Sequence, residues 1–240
     1  MPTPVKVQAT VTMITAHGDE VYSVRVAPAR PVPAYAPGQF LHFALDAYDP
    51  AAHWPESRVF SIATSPTRAA ELRITFAVKG AFTRRMADSL RPGSTVWLKL
   101  PYGEFVVRPE AAQETVLIAG CTGITPFVSF MEYMLDRTLE TPVRVFYGAR
   151  HEALLLDRPL IDECARRLPN VRSTYFAETP SSDPAVKTGR VSAEAVFAGL
   201  DRPSDATYYL SGPPAMIEAV QRQLMERDVT SERIRLDAWQ

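Results

Sequence analysis

Near residue 109 the hydrophobic pattern of this chain changes its period, and no single layer of structure accommodates both halves. Before that point apolar residues alternate with polar ones. Val5, Val7, Ala9, Val11 and Met13 interleave with Lys6, Gln8, Thr10 and Thr12. A period of two puts the apolar set on one face of a half-buried strand. Residues 21–26, 39–43, 58–64, 72–78, 95–100 and 105–107 are further strand candidates, parted by turns such as Gly18-Asp19, Pro37-Gly38, Pro92-Gly93 and Tyr102-Gly103. Six or seven short strands so punctuated predict a closed antiparallel β-barrel. One short helix interrupts it, with Thr83 as N-cap and Leu90 at its end.

Beyond Arg108-Pro109-Glu110 the texture differs. Val116-Leu117-Ile118-Ala119 is a continuous apolar run, as strands covered on both faces are. Residues 143–147, 171–176, 206–210 and 234–236 follow as strands, separated by helical patterns at 127–137, 160–168, 192–198 and 215–227. Strands alternating with helices predict βαβ units and a parallel sheet. The expectation is two domains, a barrel over 1–109 and an α/β domain over 110–240.

Composition narrows the function. Lysine plus arginine number 26 against 27 acidic residues, and that balance argues against nucleic acid as partner. No apolar run approaches the roughly 20 residues of a membrane span, and residues 1–9 do not read as an export signal. Cys121 and Cys164 are the only cysteines, which fits a reducing cytoplasm and is too few for an iron–sulfur cluster held by four thiolates. The four histidines have no ligand spacing, so no metal is expected. Trp97 reads as barrel core, and Trp54 as a candidate contact to a ligand.

Four segments carry chemistry. Arg58-Val59-Phe60-Ser61-Ile62-Ala63-Thr64 reads as a buried strand with a cation, a ring and two hydroxyls, suited to a group flat at one end and anionic at the other. Gly120-Cys121-Thr122-Gly123-Ile124-Thr125-Pro126 follows a strand and opens a helix, where glycines and free N–H groups suit a diphosphate. Its spacing is not G-x-G-x-x-G, and a plain tight turn explains it equally well. Tyr209-Leu210-Ser211-Gly212-Pro213-Pro214-Ala215-Met216 is a second strand-to-helix turn, expected on the same edge of the sheet. Lys79-Gly80-Ala81-Phe82-Thr83-Arg84-Arg85 offers helix N–H groups and arginines to phosphate, with at least one arginine simply solvated.

In this order the segments resemble the ferredoxin–NADP reductase family of flavoproteins. Residues 58–64 are similar to its Arg-x-Tyr-Ser-x-x-Ser/Thr flavin box, and Gly80 to Thr83 to its flavin-phosphate loop. Pro101-Tyr102-Gly103-Glu104-Phe105 is similar to its Gly-Pro-x-Gly-x-Phe segment. Residues 120–126 resemble Gly-Gly-Thr-Gly-Ile-x-Pro, and 211–216 resemble Cys-Gly-Pro-Pro-x-Met. The resemblance implies an antiparallel Greek-key FAD barrel followed by a Rossmann-like NAD(P)H domain, with hydride passing from nicotinamide to flavin. It implies that Arg58 meets the flavin phosphates, Phe60 packs on the isoalloxazine or ribityl chain, Ser61 bonds near the reacting nitrogen and Thr64 supports the flavin edge. Val59, Val78, Gly80, Phe82 and Thr83 complete the flavin set. Thr122 would meet nicotinamide, with Gly120, Gly123 and Pro126 at the diphosphate and Gly148 and Arg150 at the adenosine ribose. Gly212, Pro213 and Met216 line the coenzyme site beside Ser211, and Asp237 is the acidic group near the flavin, covered by Trp239. The catalytic set is Ser61, Thr122, Ser211 and Asp237.

Three departures stand out: Phe60 for tyrosine, Cys121 for glycine and Ser211 for cysteine. Arg58 and Phe60 share a strand face that Ser61 does not, so a twist or bulge is expected. The implied activity is an FAD-dependent NAD(P)H oxidoreductase passing single electrons to a separate acceptor, a ferredoxin, a flavodoxin, an oxygenase component or a small molecule. The alternatives are an NAD(P)H:flavin reductase and a non-catalytic flavin-binding subunit. Arg150 leaves NADPH open, whereas Glu178, whose charge repels a 2′-phosphate, favours NADH.

Overall fold

A computed structural model describes residues 2–108 and 113–237. The expected boundary at 109/110 and the expected cover Trp239 lie outside the described residues. Two compact units emerge, one of residues 1–106 with 125–133, the other of 107–124 with 134–240.

The first unit is a nearly closed barrel of six antiparallel strands: β1 (Val5–Gly18), β2 (Val21–Pro28), β3 (Phe40–Ala44), β4 (Ser57–Ser61), β5 (Leu72–Ala77) and β6 (Thr95–Tyr102). Their order is β4-β3-β6-β1-β2-β5. The outer strands meet just past β4, where Ala63 N–H donates to the Arg73 carbonyl at 2.8 Å and Arg73 N–H donates to Thr64 Oγ1 at 2.8 Å. Alternation does what it predicted in β1, with Val7, Ala9 and Val11 buried in one cluster with Val24, Ile74, Leu98 and Phe43. Gly38 takes φ +100°, and its Cα lies so close to the Phe105 carbonyl that a Cβ would collide with it.

Several expectations are corrected. Residues 105–107 form no strand, which leaves six. The 58–64 segment is not buried throughout: Arg58 and Val59 are exposed, because β4 ends the sheet and only residues past Ser61 turn under it. The β3–β4 register runs unbroken from Phe40↔Ser61 to Ala44↔Ser57, so no bulge forms there. Helix α1 (Ala81–Ser89) begins two residues before Thr83, whose Oγ1 instead accepts from Lys79 N–H and Gly80 N–H at 2.9 and 3.2 Å. Trp97 is half-buried on the outer face, edge-on to Tyr48 with ring centroids 5.4 Å apart, and is not core.

The second unit is a six-stranded parallel sheet: β7 (Thr115–Gly120), β8 (Val143–Ala149), β9 (Val171–Ala177), β10 (Val186–Thr188), β11 (Thr207–Ser211) and β12 (Ile234–Leu236). The order is β10-β9-β8-β7-β11-β12. Helices α2 (Thr125–Arg137), α3 (Arg158–Arg167), α4 (Ala193–Phe197) and α5 (Pro214–Met225) connect the strands. Every residue of β7 is buried, which is why it reads as an unbroken apolar run. The short β10 escaped the sequence pattern. No helix among the described residues is long and apolar enough to cross a membrane.

Candidate functional site

In the barrel unit the expected phosphate residues converge. The Arg58 guanidinium stands over the Phe82 ring, 5.0 Å from its centroid, and Phe82 lies in the first turn of α1. That turn presents N–H groups without intrahelical partners and the positive end of the helix dipole. A Cβ built on Gly80 would meet nothing within 4 Å, so the approach is open. A guanidinium beside a helix N-terminus is the donor set a diphosphate requires, and the residues present fit the phosphates of FAD. Arg58 is held by Glu56 at 2.9 Å, an exposed pair that an incoming dianion can exchange. Arg84 and Arg85 are otherwise occupied, by Glu20 and Asp46.

Along β4 the side chains divide as alternation demands. Phe60 packs on the barrel core, 6.2 Å from both Phe43 and Phe76. Ser61 lies opposite Phe40, half-buried, and its hydroxyl has no hydrogen bond among the described residues. Thr64 is buried with its hydroxyl taken by Arg73 N–H. Val78 is half-buried, whereas the Phe82 ring is buried in the core.

In the parallel-sheet unit β7 and β11 are neighbours, and the strand order reverses between them. Ligands of such sheets bind outside the carboxyl ends of the strands at that reversal. Both glycine turns lie there. They press on each other: a Cβ on Gly123 would fall 2.5 Å from Gly212 N and Cα, and one on Gly120 would fall 2.6 Å from Met216 Sδ. These glycines therefore serve the packing of turn against turn. Thr122 and Gly123 remain half-exposed, Pro213 exposed, and Pro126 buried in the first turn of α2. Ser211 is buried and donates to Asp237 Oδ2 at 2.7 Å.

Gly148 lies near the end of β8 and exposed Arg150 just past it, next to the loop after β9: Glu178 N–H donates to the Ala149 carbonyl and Thr179 N–H to that of Arg150, each at 3.1 Å. Glu178 forms an ion pair with Arg190 at 2.7 Å. Sequence reasoning missed that partner, and it missed Ser129 and Glu132 of α2. Ser129 Oγ donates to the Thr64 carbonyl at 2.7 Å, and Glu132 accepts from Ser65 N–H at 2.8 Å, within the barrel unit. No motif flags such contacts, since helix periodicity gives them only as polar residues on an apolar helix.

Known proteins share this fold. The family model of the oxidoreductase NAD-binding domain matches residues 117–222. The reductase component of phenol 2-monooxygenase from Pseudomonas sp. (strain CF600) is 34% identical over 215 residues, covering 85% of this chain and 58% of that protein. The chain thus spans little more than half of that relative. An NAD(P)H-flavin reductase from Aliivibrio fischeri is 26% identical, covering 91% of this chain and 92% of its own length. Among solved structures, a cytochrome P450 reductase from Amycolatopsis superposes with a TM-score of 0.84 at 25% identity, over 98% of this chain and 69% of that one.

Proposed function

We propose that this chain is an FAD-dependent NAD(P)H oxidoreductase of the ferredoxin–NADP reductase family, serving a separate electron acceptor. The observation that carries the proposal is the convergence of Arg58 on the open N-terminus of α1. FAD, when bound, supplies the capacity to take up a hydride and give the electrons back one at a time. Arg58 and the first-turn N–H groups of α1 hold its diphosphate. Among the described residues the outer edge of β4 has no strand partner over Ser57–Ser61, so a ligand lying along that edge reaches Arg58 on one face and Ser61 on the other. Ser61 offers a hydroxyl to the flavin ring, and Phe60 an aromatic surface. Thr122 and the paired glycine turns receive the nicotinamide coenzyme. The acceptor is the oxygenase component of a multicomponent system, by analogy with the phenol 2-monooxygenase relative.

NADH is the proposed coenzyme. Glu178 sits on the loop bonded to Ala149 and Arg150, and a 2′-phosphate there would have to compete with its carboxylate for Arg190. The test is an anaerobic titration of the purified protein with NADH and with NADPH, followed by flavin absorbance. Yellow protein bleached by NADH at low micromolar concentration supports the proposal. Colourless protein that turns over added flavin assigns it instead to flavin reductases like that of Aliivibrio fischeri. A bound flavin that neither coenzyme bleaches would reject both.

A further inference from the structure

Tyr147 lies on β8, yet its phenol bonds to backbone outside that strand. The residue is fully buried. Its hydroxyl lies 3.0 Å from the Cys121 carbonyl and 3.1 Å from the Leu154 carbonyl, and it accepts from Leu156 N–H at 2.9 Å. One phenol proton serves two carbonyls while the oxygen's lone pairs take the amide. Burial pushes the phenol's ionisation well above its ordinary value, so the proton stays in place.

The carbonyl it holds belongs to a residue in an unfavourable conformation. Cys121 has φ +50°, the left-handed region, where a side chain clashes with its own backbone. Such a residue persists only where its surroundings fix it. Cys121 and the next two residues, Thr122 and Gly123, are all half-exposed.

We propose that Tyr147 is a positioning residue for the nicotinamide coenzyme: its phenol clamps the Cys121 carbonyl and so holds the Gly120–Gly123 turn in its binding shape. This rests on the reading that the turn receives the coenzyme. Tyr147→Phe removes the clamp and keeps the ring. With Cys121→Gly the left-handed penalty disappears, so the clamp matters less there.

The experiment compares wild type, Tyr147→Phe, Cys121→Gly and the double variant. It measures NAD+ affinity by calorimetry, NADH reduction kinetics, FAD content, and amide exchange in 121–124 and 154–156. Tyr147→Phe should weaken NAD+ binding and raise the KM for NADH on the order of tenfold, the scale of one lost buried hydrogen bond. FAD content and the rate at saturating NADH should stay near wild type, and exchange in both segments should speed up. The same change made on top of Cys121→Gly should cost several-fold less. Equal losses with and without Cys121→Gly, or wild-type affinity in Tyr147→Phe, would overturn the proposal. Should Tyr147→Phe not fold, Cys121→Val decides: a β-branched residue resists φ above zero, and unimpaired NAD+ binding in it would overturn the clamp. A wild-type protein that binds neither coenzyme removes the underlying reading, and this one with it.

Discussion

Ser211, the last residue of β11, donates its hydroxyl proton to Asp237, which follows β12, with Oγ and Oδ2 2.7 Å apart. The pair is set by backbone as well, since Asp237 N–H donates to the Leu210 carbonyl at 2.9 Å and so extends the parallel ladder by one residue. Ser211→Ala leaves a carboxylate without its hydroxyl partner, and the loss should be about 1–3 kcal/mol of stability. Asp237→Asn keeps an acceptor and should lose less. If the pair also orders the coenzyme site, Ser211→Ala slows flavin reduction about tenfold at saturating NADH, on the scale of one charge-assisted hydrogen bond. Denaturant melts and stopped-flow reduction read the two effects separately, and an unchanged reduction rate would confine the pair to structure.

Arg58→Ala and Ser61→Ala should part company. The first removes the cation beside α1 and is expected to weaken FAD retention about tenfold to a hundredfold, the range of one or two charge-assisted hydrogen bonds. The second removes a hydroxyl from the outer face of β4 and should slow reduction more than it weakens binding. Flavin content after gel filtration and single-turnover kinetics measure both. Equal effects of the two substitutions on both quantities would contradict the assignment.

Glu178→Gln should narrow the preference for NADH. With the carboxylate gone, Arg190 is released from its 2.7 Å ion pair and is available to a 2′-phosphate. The ratio of kcat/KM for NADH over NADPH should fall about five- to tenfold, the size of an exposed charge interaction near 1 kcal/mol. A ratio that stays put would place the ribose elsewhere.

His42 should make the barrel acid-sensitive. Its pKa is lowered from 6.5, first by burial and then by the charge of Lys99, which pairs with it in register across β3 and β6. The unfolded chain therefore takes up the proton before the folded one does. Stability is complete above pH 6.5, falls as the pH drops through that value, and levels off below the folded pKa. His42→Gln should flatten the denaturation midpoint between about pH 7 and 5, where an ordinary histidine titrates. A midpoint with the same slope in both proteins would assign the dependence to other groups.

The strand and helix order is legible in sequence because each half keeps one hydrophobic period, and Val7, Ala9 and Val11 or the wholly apolar β7 leave little choice. Local chemistry reads less well. Thr83 has the composition of an N-cap, but extended Gly80 starts α1 earlier and leaves Thr83 to bond back to it. Arg58 reads as a buried charge because Val59, Phe60 and Ile62 follow it; β4 lies at the sheet's end, which only the pairing reveals. The Arg190 partner of Glu178 stays hidden because β10 has three residues, too few for any periodicity to show. Tyr147 reads as one more apolar strand residue, and nothing in sequence gives the direction of its hydroxyl.

Residues 125–133 of α2 pack in the barrel unit, with Phe127 against Phe105, Ser129 on the Thr64 carbonyl and Glu132 on Ser65 N–H. The consequence concerns how the chain is made. A ribosome that has released only the first 109 residues has delivered every barrel strand and the Tyr35 hydroxyl that bonds the Thr64 and Ser65 carbonyls, but not the Glu132 carboxylate to which the buried Ser65 N–H donates. That Ser65 N–H therefore waits for some two dozen further residues before it meets its acceptor. Expressed alone, the segment ending at 109 would lack that acceptor and the Phe127 ring that packs on Phe105, so the barrel's maturation draws on chain made after its last strand.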